Sequence, residues 1–402
     1  MFRVFRFAAP KHRGLFLLAA VGLFWALADS AFEFALPTFL EKVANGNLFL
    51  VGVMLTLPSV AAVMLDVSIG ELADRMSKRA LIAWGLALMA LVALPLLFFT
   101  DFWAVLLVLA FWGVPFSVFY ITMLSYLMDI SPKKEASEYS GVYDTIDSVG
   151  WAIGPLVAGG FLMAFSHSAV FIFYSVSLAL LAVGAFFLLK DVTRHPDGFW
   201  RGVKRVIKDD GFFGAGLSAF RGLGPTGYFV AFFSFFAAAW WQMALMAVPL
   251  YYLLLGYDAA LGGLLMSAFM VPYFLFSTVN GIAADRYGRK KIAALGFLIA
   301  AFFSLALVLV PDAWAKIVCA FLLSTGMSMT YPAIDGIVVN LMKGNVSGKL
   351  SGVKMGARDV GFASGALITG ALMTVNVSLP FVFGAAGFLA LAGMLVFVKE
   401  KQ

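Results

Sequence analysis

Long apolar runs alternate along this chain with short polar punctuation. They fall near 14–39, 48–69, 80–100, 102–128, 139–164, 169–189, 226–255, 260–284, 292–311, 313–341, 351–375 and 379–398. Each is of the order of the ~20 residues a helix needs to cross hydrocarbon. None shows the ten-residue alternation of a barrel strand. Helices satisfy their own backbone groups in lipid, so the pattern predicts twelve transmembrane helices. Several breaks are one turn long, such as Thr100-Asp101 and Pro311-Asp312. Helices joined so tightly run as antiparallel neighbours. The run after Arg13 exceeds a signal-peptide core and reads as a first spanning helix.

The polar punctuation repeats. Gly70-Glu71-Leu72-Ala73-Asp74-Arg75-Met76-Ser77-Lys78-Arg79 returns 211 residues later as Gly281-Ile282-Ala283-Ala284-Asp285-Arg286-Tyr287-Gly288-Arg289-Lys290. The offset also relates Ser140-Gly141-Val142 to Ser351-Gly352-Val353, Val149-Gly150 to Val360-Gly361, Gly154 to Gly365, Gly159 to Gly370 and Tyr120 to Tyr331. An all-α membrane protein of two pseudo-symmetric six-helix bundles is expected: residues 1–189, a linker over 190–225, and residues 226–402. Duplicated halves of this kind place a substrate site between them near the midplane, and rocking of one half on the other gives alternating access.

Composition agrees with a life in lipid. Hydrophobic residues make up 62% and charged residues 12%, against about 25% charged in a soluble domain. The net charge of +6 does not signal nucleic acid, because the Lys and Arg residues crowd alternate loops and the two ends. Only Lys42 and Lys316 fall on the other face. This bias predicts a multi-pass protein of the cytoplasmic membrane with both termini and both hairpins inside. The linker carries Arg194, Arg201, Lys204, Arg205 and Lys208 with Phe199, Trp200, Val203 and Ile207 between them. It suits a solvated basic connection or an amphipathic helix on anionic headgroups.

Cys319 stands alone and His12, His167 and His195 are scattered, so neither a disulfide framework nor a metal site is expected. No phosphate-binding loop or nucleophile elbow is present. The expectation is no cofactor and no enzyme; an intramembrane enzyme would have to use an acid pair such as Asp144 with Asp147.

Charges inside the apolar runs carry the candidate chemistry. A centrally placed Asp costs about 2.5–3.5 kcal/mol to insert, so such residues face a cavity or a partner. Asp29 and Glu33 in the first run lie one turn apart on one face. They suit proton carriage, a cationic substrate, or simply a wetted cavity. Asp144 and Asp147 in the fifth run suit proton coupling or gating, and Asp335 in the tenth is a further proton-coupling candidate.

The chain resembles transporters of the major facilitator superfamily over nearly its full length. The resemblance rests on the hairpin: Gly70, Asp74, Arg75, Lys78 and Arg79 fit that superfamily's cytoplasmic signature, with Ser77 where Gly is usual. The second copy, with Gly281, Asp285, Arg286, Gly288, Arg289 and Lys290, keeps the Gly. The resemblance implies that Asp74 accepts from free N–H groups opening the eleventh helix near Ser351, and that Arg75 pairs with Asp129 ending the fourth. Such contacts would gate the cytoplasmic side.

A run in the fifth helix, Gly141, Gly150, Gly154-Pro155 and Gly159-Gly160, is similar to that of the superfamily's proton-driven drug antiporters, with three residues rather than two before the last glycines. It also suits simple close packing of helices, and Pro155 removes one N–H. The fourth helix lacks the intramembrane Arg of many proton-coupled members.

Because the second and eleventh helices meet in this fold, Asp66 is expected to pair with Arg358 or Lys354 as a gate. Trp112, Tyr120, Trp240, Gln242 and Tyr331 fall on cavity helices, where aromatic faces hold organic cations. These features point to a monomeric, proton-coupled exporter of small amphipathic or cationic organic compounds. A sugar or organic-acid symporter and a lipid or metal-ion transporter remain as alternatives.

Overall fold

The computed structural model describes residues 13–132, 135–192, 225–341 and 347–398. Among them are twelve α-helices: α1 (Arg13–Val43), α2 (Leu48–Arg75), α3 (Lys78–Ala93), α4 (Phe102–Ile130), α5 (Ala136–Ala164), α6 (His167–Leu188), α7 (Pro225–Leu254), α8 (Ala259–Tyr287), α9 (Arg289–Leu309), α10 (Ala313–Leu341), α11 (Ser347–Val375) and α12 (Leu379–Met394). Short 3-10 turns extend α3 through Leu97 and α12 through Phe397. Most of the linker, with its possible amphipathic helix, lies outside the described residues.

Eleven of these helices are long and apolar enough to cross a membrane. The exception is α11, where Lys354, Arg358, Asp359 and several glycines dilute the apolar run. The protein is an all-helical, multi-pass membrane protein, and each expected run corresponds to one helix.

The one-turn breaks work by capping. Asp101 accepts from Trp103 N at 3.0 Å and Ala104 N at 3.1 Å, opening α4. Its repeat partner Asp312 accepts from Ala315 N at 2.8 Å, opening α10. Each short acid satisfies N–H groups that the first helical turn leaves free.

The hairpins are breaks between helices rather than loops, since Gly70 and Gly281 lie inside α2 and α8. In the first copy Ser77 has φ −56° and its side chain accepts from Ala80 N. In the second, Gly288 takes φ +101°, a backbone region that favours glycine. One turn is made by a side-chain cap, the other by a glycine.

The chain divides into two compact units, Met1–Val43 with Leu57–Asp210, and Ala44–Thr56 with Gly211–Gln402. The first residues of α2 therefore group with the C-terminal unit. In the N-terminal unit, α1 packs on α5. A Cβ on Gly150 or Gly154 would strike Leu23 O, Leu27 O or the Ser30 hydroxyl. In the C-terminal unit, Gly361 and Gly365 meet Phe235 O and Ala239 O of α7 in the same manner. These contacts set the register of α1 on α7 at 212 residues, one more than elsewhere, and the same step relates Pro37 to Pro249.

Candidate functional site: a buried acidic centre

Close packing of α5 on α1 leaves Ser30 donating to Gly150 O at 3.3 Å. The residue before it, Asp29, is 0% exposed. Its Oδ1 accepts from the Tyr174 hydroxyl of α6 at 3.2 Å. That hydroxyl in turn accepts from Trp112 Nε1 of α4 at 3.1 Å. The Phe32 ring stacks on Tyr174 with centroids 4.4 Å apart and lies 5.7 Å from Trp112. Four helices thus fix one carboxylate.

Asp29 Oδ2 and Glu33 Oε2 are buried without a hydrogen-bond partner. Among the described residues no Lys, Arg or His forms an ion pair with either acid. Asp147 of α5 lies near enough to feel the charges of Asp29 and Asp144, within hydrogen-bonding reach of Trp151 and Tyr143, and its Oδ1 is also buried without a partner. Asp144 is exposed. A cluster of carboxyl groups with no cation tolerates burial best by holding protons, which is the chemistry the arrangement offers.

Asp335 sits differently. Lys354 Nζ donates to its Oδ1 at 2.6 Å, so this candidate for proton coupling is half of an ion pair. Arg358 is likewise engaged by its neighbour Asp359 at 3.0 Å. Both basic residues expected to meet Asp66 therefore have acids on their own unit. The side chains of Asp66, Asp74 and Arg75 lie outside the described residues.

At the first hairpin Asp129 takes Lys78, at 2.5 Å, as an ion-pair partner. Arg79 sits over the Phe186 ring at 4.9 Å. At the second, Asp285 pairs with Arg289 at 2.7 Å and Arg289 also donates to Gly336 O at 2.6 Å. Arg286 lies over Tyr287 at 5.5 Å.

The aromatic candidates separate. Trp240 is 1% exposed and is wedged against Gly384, Phe269 and Phe388. It packs in the core of its own unit. Trp112 is also interior, held by Tyr174, Phe32 and Phe116. Tyr120 is 37% exposed and stacks on Phe116. Tyr331 meets Tyr273 edge-on at 5.9 Å, and Tyr273 meets Trp241 at 5.7 Å. Gln242 is half-buried beside Gly365. Pro155 and Gly159 are buried within an unbroken α5.

Sequence reasoning missed Tyr174. Its signal was a hydroxyl inside an uncharged apolar run, which must find a partner when buried. Among the described residues no group of three or more His, Cys, Asp or Glu is placed to hold a metal ion.

Twelve helices in two repeated sets of six, with acids buried in the first, make the frame of a membrane transporter. The family pattern described as "Major Facilitator Superfamily" matches residues 18–263 and again 226–402. The chain belongs to that superfamily; it is a membrane transporter of small-molecule substrates and not an enzyme.

Among its relatives is "Multidrug resistance protein 2" of Bacillus subtilis (strain 168), 25% identical over 72% of this chain and 71% of the relative. Another is "Quinolone resistance protein NorA" of Staphylococcus aureus (strain COL), 23% identical over 83% of this chain and 82% of the relative. The fold is similar to the crystal structure of a mutant of the peptide transporter POT, with TM-score 0.72, 15% identity, and 95% and 93% of the two chains covered. It is also similar to a bacterial homologue of the human lysosomal transporter Spinster, with TM-score 0.71, 14% identity, and 97% and 96% covered. At these identities the structural likeness speaks to fold alone.

Proposed function

We propose that this transporter exports small amphipathic or cationic organic compounds in exchange for protons, by alternating access. It would act as a monomer in the cytoplasmic membrane with both termini inside. The observation that carries the reading is the pair of buried carboxyl oxygens on Asp29 and Glu33 that no donor or cation among the described residues satisfies. Asp147 and Asp144 extend the acidic stretch along α5. Asp335 takes a lesser part in this reading because it is already paired with Lys354. The cytoplasmic hairpins, braced within their own units by Lys78 on Asp129 and Arg289 on Asp285, would carry the gating contacts of Asp66 and Asp74. The names of the two resistance relatives support a drug-like cargo and export rather than uptake.

The test is transport in proteoliposomes with an imposed pH gradient, using tetraphenylphosphonium as a cationic probe. The reading expects the probe to accumulate on the acidic side, against its own gradient, as protons leave that side. Accumulation in the direction of proton flow would favour a symporter instead. Indifference to the gradient would remove proton coupling.

A further inference from the structure

The internal repeat acts as a control on the acidic centre. Where α1 has Asp29 and Glu33, the 212-residue register puts Trp241 and Leu245 on α7. Where α4 has Trp112, its partner α10 has Leu323 in the 211-residue register that also relates Gly85 on Phe119 to Gly296 on Thr330. Where α6 has Tyr174, α12 has alanine in either register, Ala385 or Ala386. The C-terminal unit packs the same helices without the tyrosine, the tryptophan or the acids. Tyr174 and Trp112 are therefore not required by the helix packing itself; they accompany the carboxylate.

The two acids are also held unequally. Asp29 has one oxygen fixed by a donor that is itself fixed by a second donor. Glu33 sits one turn further along and has no comparable anchor among the described residues. A hydroxyl donating to a carboxylate favours its ionised form, and a hydrogen bond to a charged group is among the stronger ones. Two adjacent carboxylates avoid ionising together, so stabilising one anion directs the proton to the other.

We infer that Tyr174, oriented by Trp112, is a positioning residue that keeps Asp29 as the fixed anion, so that Glu33 carries the exchanged proton. The groups facing this pair are Glu33 itself on α1, Asp147 on α5, Trp112 on α4 and Tyr174 on α6. The inference rests on the proton-coupled reading above. It goes further by giving the two acids different tasks.

The experiment is infrared difference spectroscopy of the purified full chain in proteoliposomes, between acidic and alkaline buffer, reading the C=O stretch of protonated carboxyl groups. The wild type should show a carboxyl band that Glu33→Gln abolishes and Asp29→Asn leaves in place, shifted. Tyr174→Phe, which keeps the ring stacked on Phe32 but removes the donor, should add a second band that Asp29→Asn then removes. Loss of a charge-assisted hydrogen bond should move the midpoint of titration by roughly tenfold in proton concentration. Trp112→Phe should move it in the same direction by less.

Glu33→Gln, Asp29→Asn and Tyr174→Phe are close in shape, Trp112→Phe removes part of a buried ring, and thermal unfolding of each identifies any variant that fails to fold. A tyrosine that merely packs would leave the titration midpoint where it was, and that result would overturn the inference. So would a wild-type band that vanishes in Asp29→Asn and survives in Glu33→Gln. A wild type with no carboxyl band would overturn the proton-coupled reading, and the inference with it. The first two failures leave proton coupling standing, so the two levels fail separately.

Discussion

The two units share helix order, caps, hairpins and the close helix approach at Gly150 and Gly154 or Gly361 and Gly365, yet they fill the same frame with opposite chemistry. The N-terminal unit buries Asp29, Glu33 and Asp147 with incomplete hydrogen bonding. In the C-terminal unit Asp335 is paired with Lys354, Asp285 with Arg289 and Asp359 with Arg358. At the positions equivalent to Asp29 and Glu33 that unit places Trp241 and Leu245, and at the position equivalent to Asp147 it places the basic Arg358, which pairs with Asp359. An unpaired buried acid is costly and a paired one is tolerable. The duplicated frame shows that the cost in the first half is not imposed by the fold.

The largest expected effect is functional. Asp29→Asn keeps shape and hydrogen-bonding size but removes the charge. With the fixed anion gone nothing directs the proton to Glu33, and gradient-driven export should fall by on the order of a hundredfold, the scale of a lost proton transfer; initial rates in proteoliposomes check this. The same substitution at Asp335 should leave most of the activity.

Next comes the converse transplant. Trp241→Asp puts an acid at the equivalent site of a unit that has no Tyr174 to hold it. It should destabilise the protein by about 3 kcal/mol, the cost of an acid at a helix centre, without adding proton exchange. Thermal unfolding in detergent measures the first part and proton flux the second.

Gly154→Val and Gly365→Val test the shared frame. A side chain at either position collides with backbone of α1 or α7, and overpacking of this kind costs about 1–3 kcal/mol. The two losses should be alike, and a large difference between them would mean the frames are less equivalent than the register implies.

The smallest effect belongs to the hairpins. Lys78→Met leaves Asp129 without its cation, but Asp129 is 34% exposed and recovers water. A loss of about 1–2 kcal/mol is expected, below that of a fully buried pair. Arg289→Met in the second copy should cost about 1 kcal/mol through the bond to Gly336 O.

Much of the frame was legible in the sequence because hydrocarbon admits few solutions: a run near 20 residues must be a helix, and a 211-residue echo must be a second copy. The acids at Asp29 and Glu33 stood out for the same reason, since charge in lipid is rare and expensive. What the chain order could not show was side-chain direction. Trp240 and Trp241 are adjacent in sequence, yet the first faces the core and the second meets Tyr273. Nor could it show pairing across helices. Asp335 reads as a lone acid until Lys354, nineteen residues later, is brought to it. Tyr174 was hidden because a single hydroxyl barely alters the hydropathy of its run. Ser77 stands where Gly is usual, and the structure makes it a helix cap.

The most direct test of the division between the units is proton release when tetraphenylphosphonium is added to the purified transporter in weakly buffered detergent. The account predicts release from the wild type and from Asp335→Asn, and none from the double variant Asp29→Asn with Glu33→Gln. Release that persists in the double variant and disappears in Asp335→Asn would contradict it.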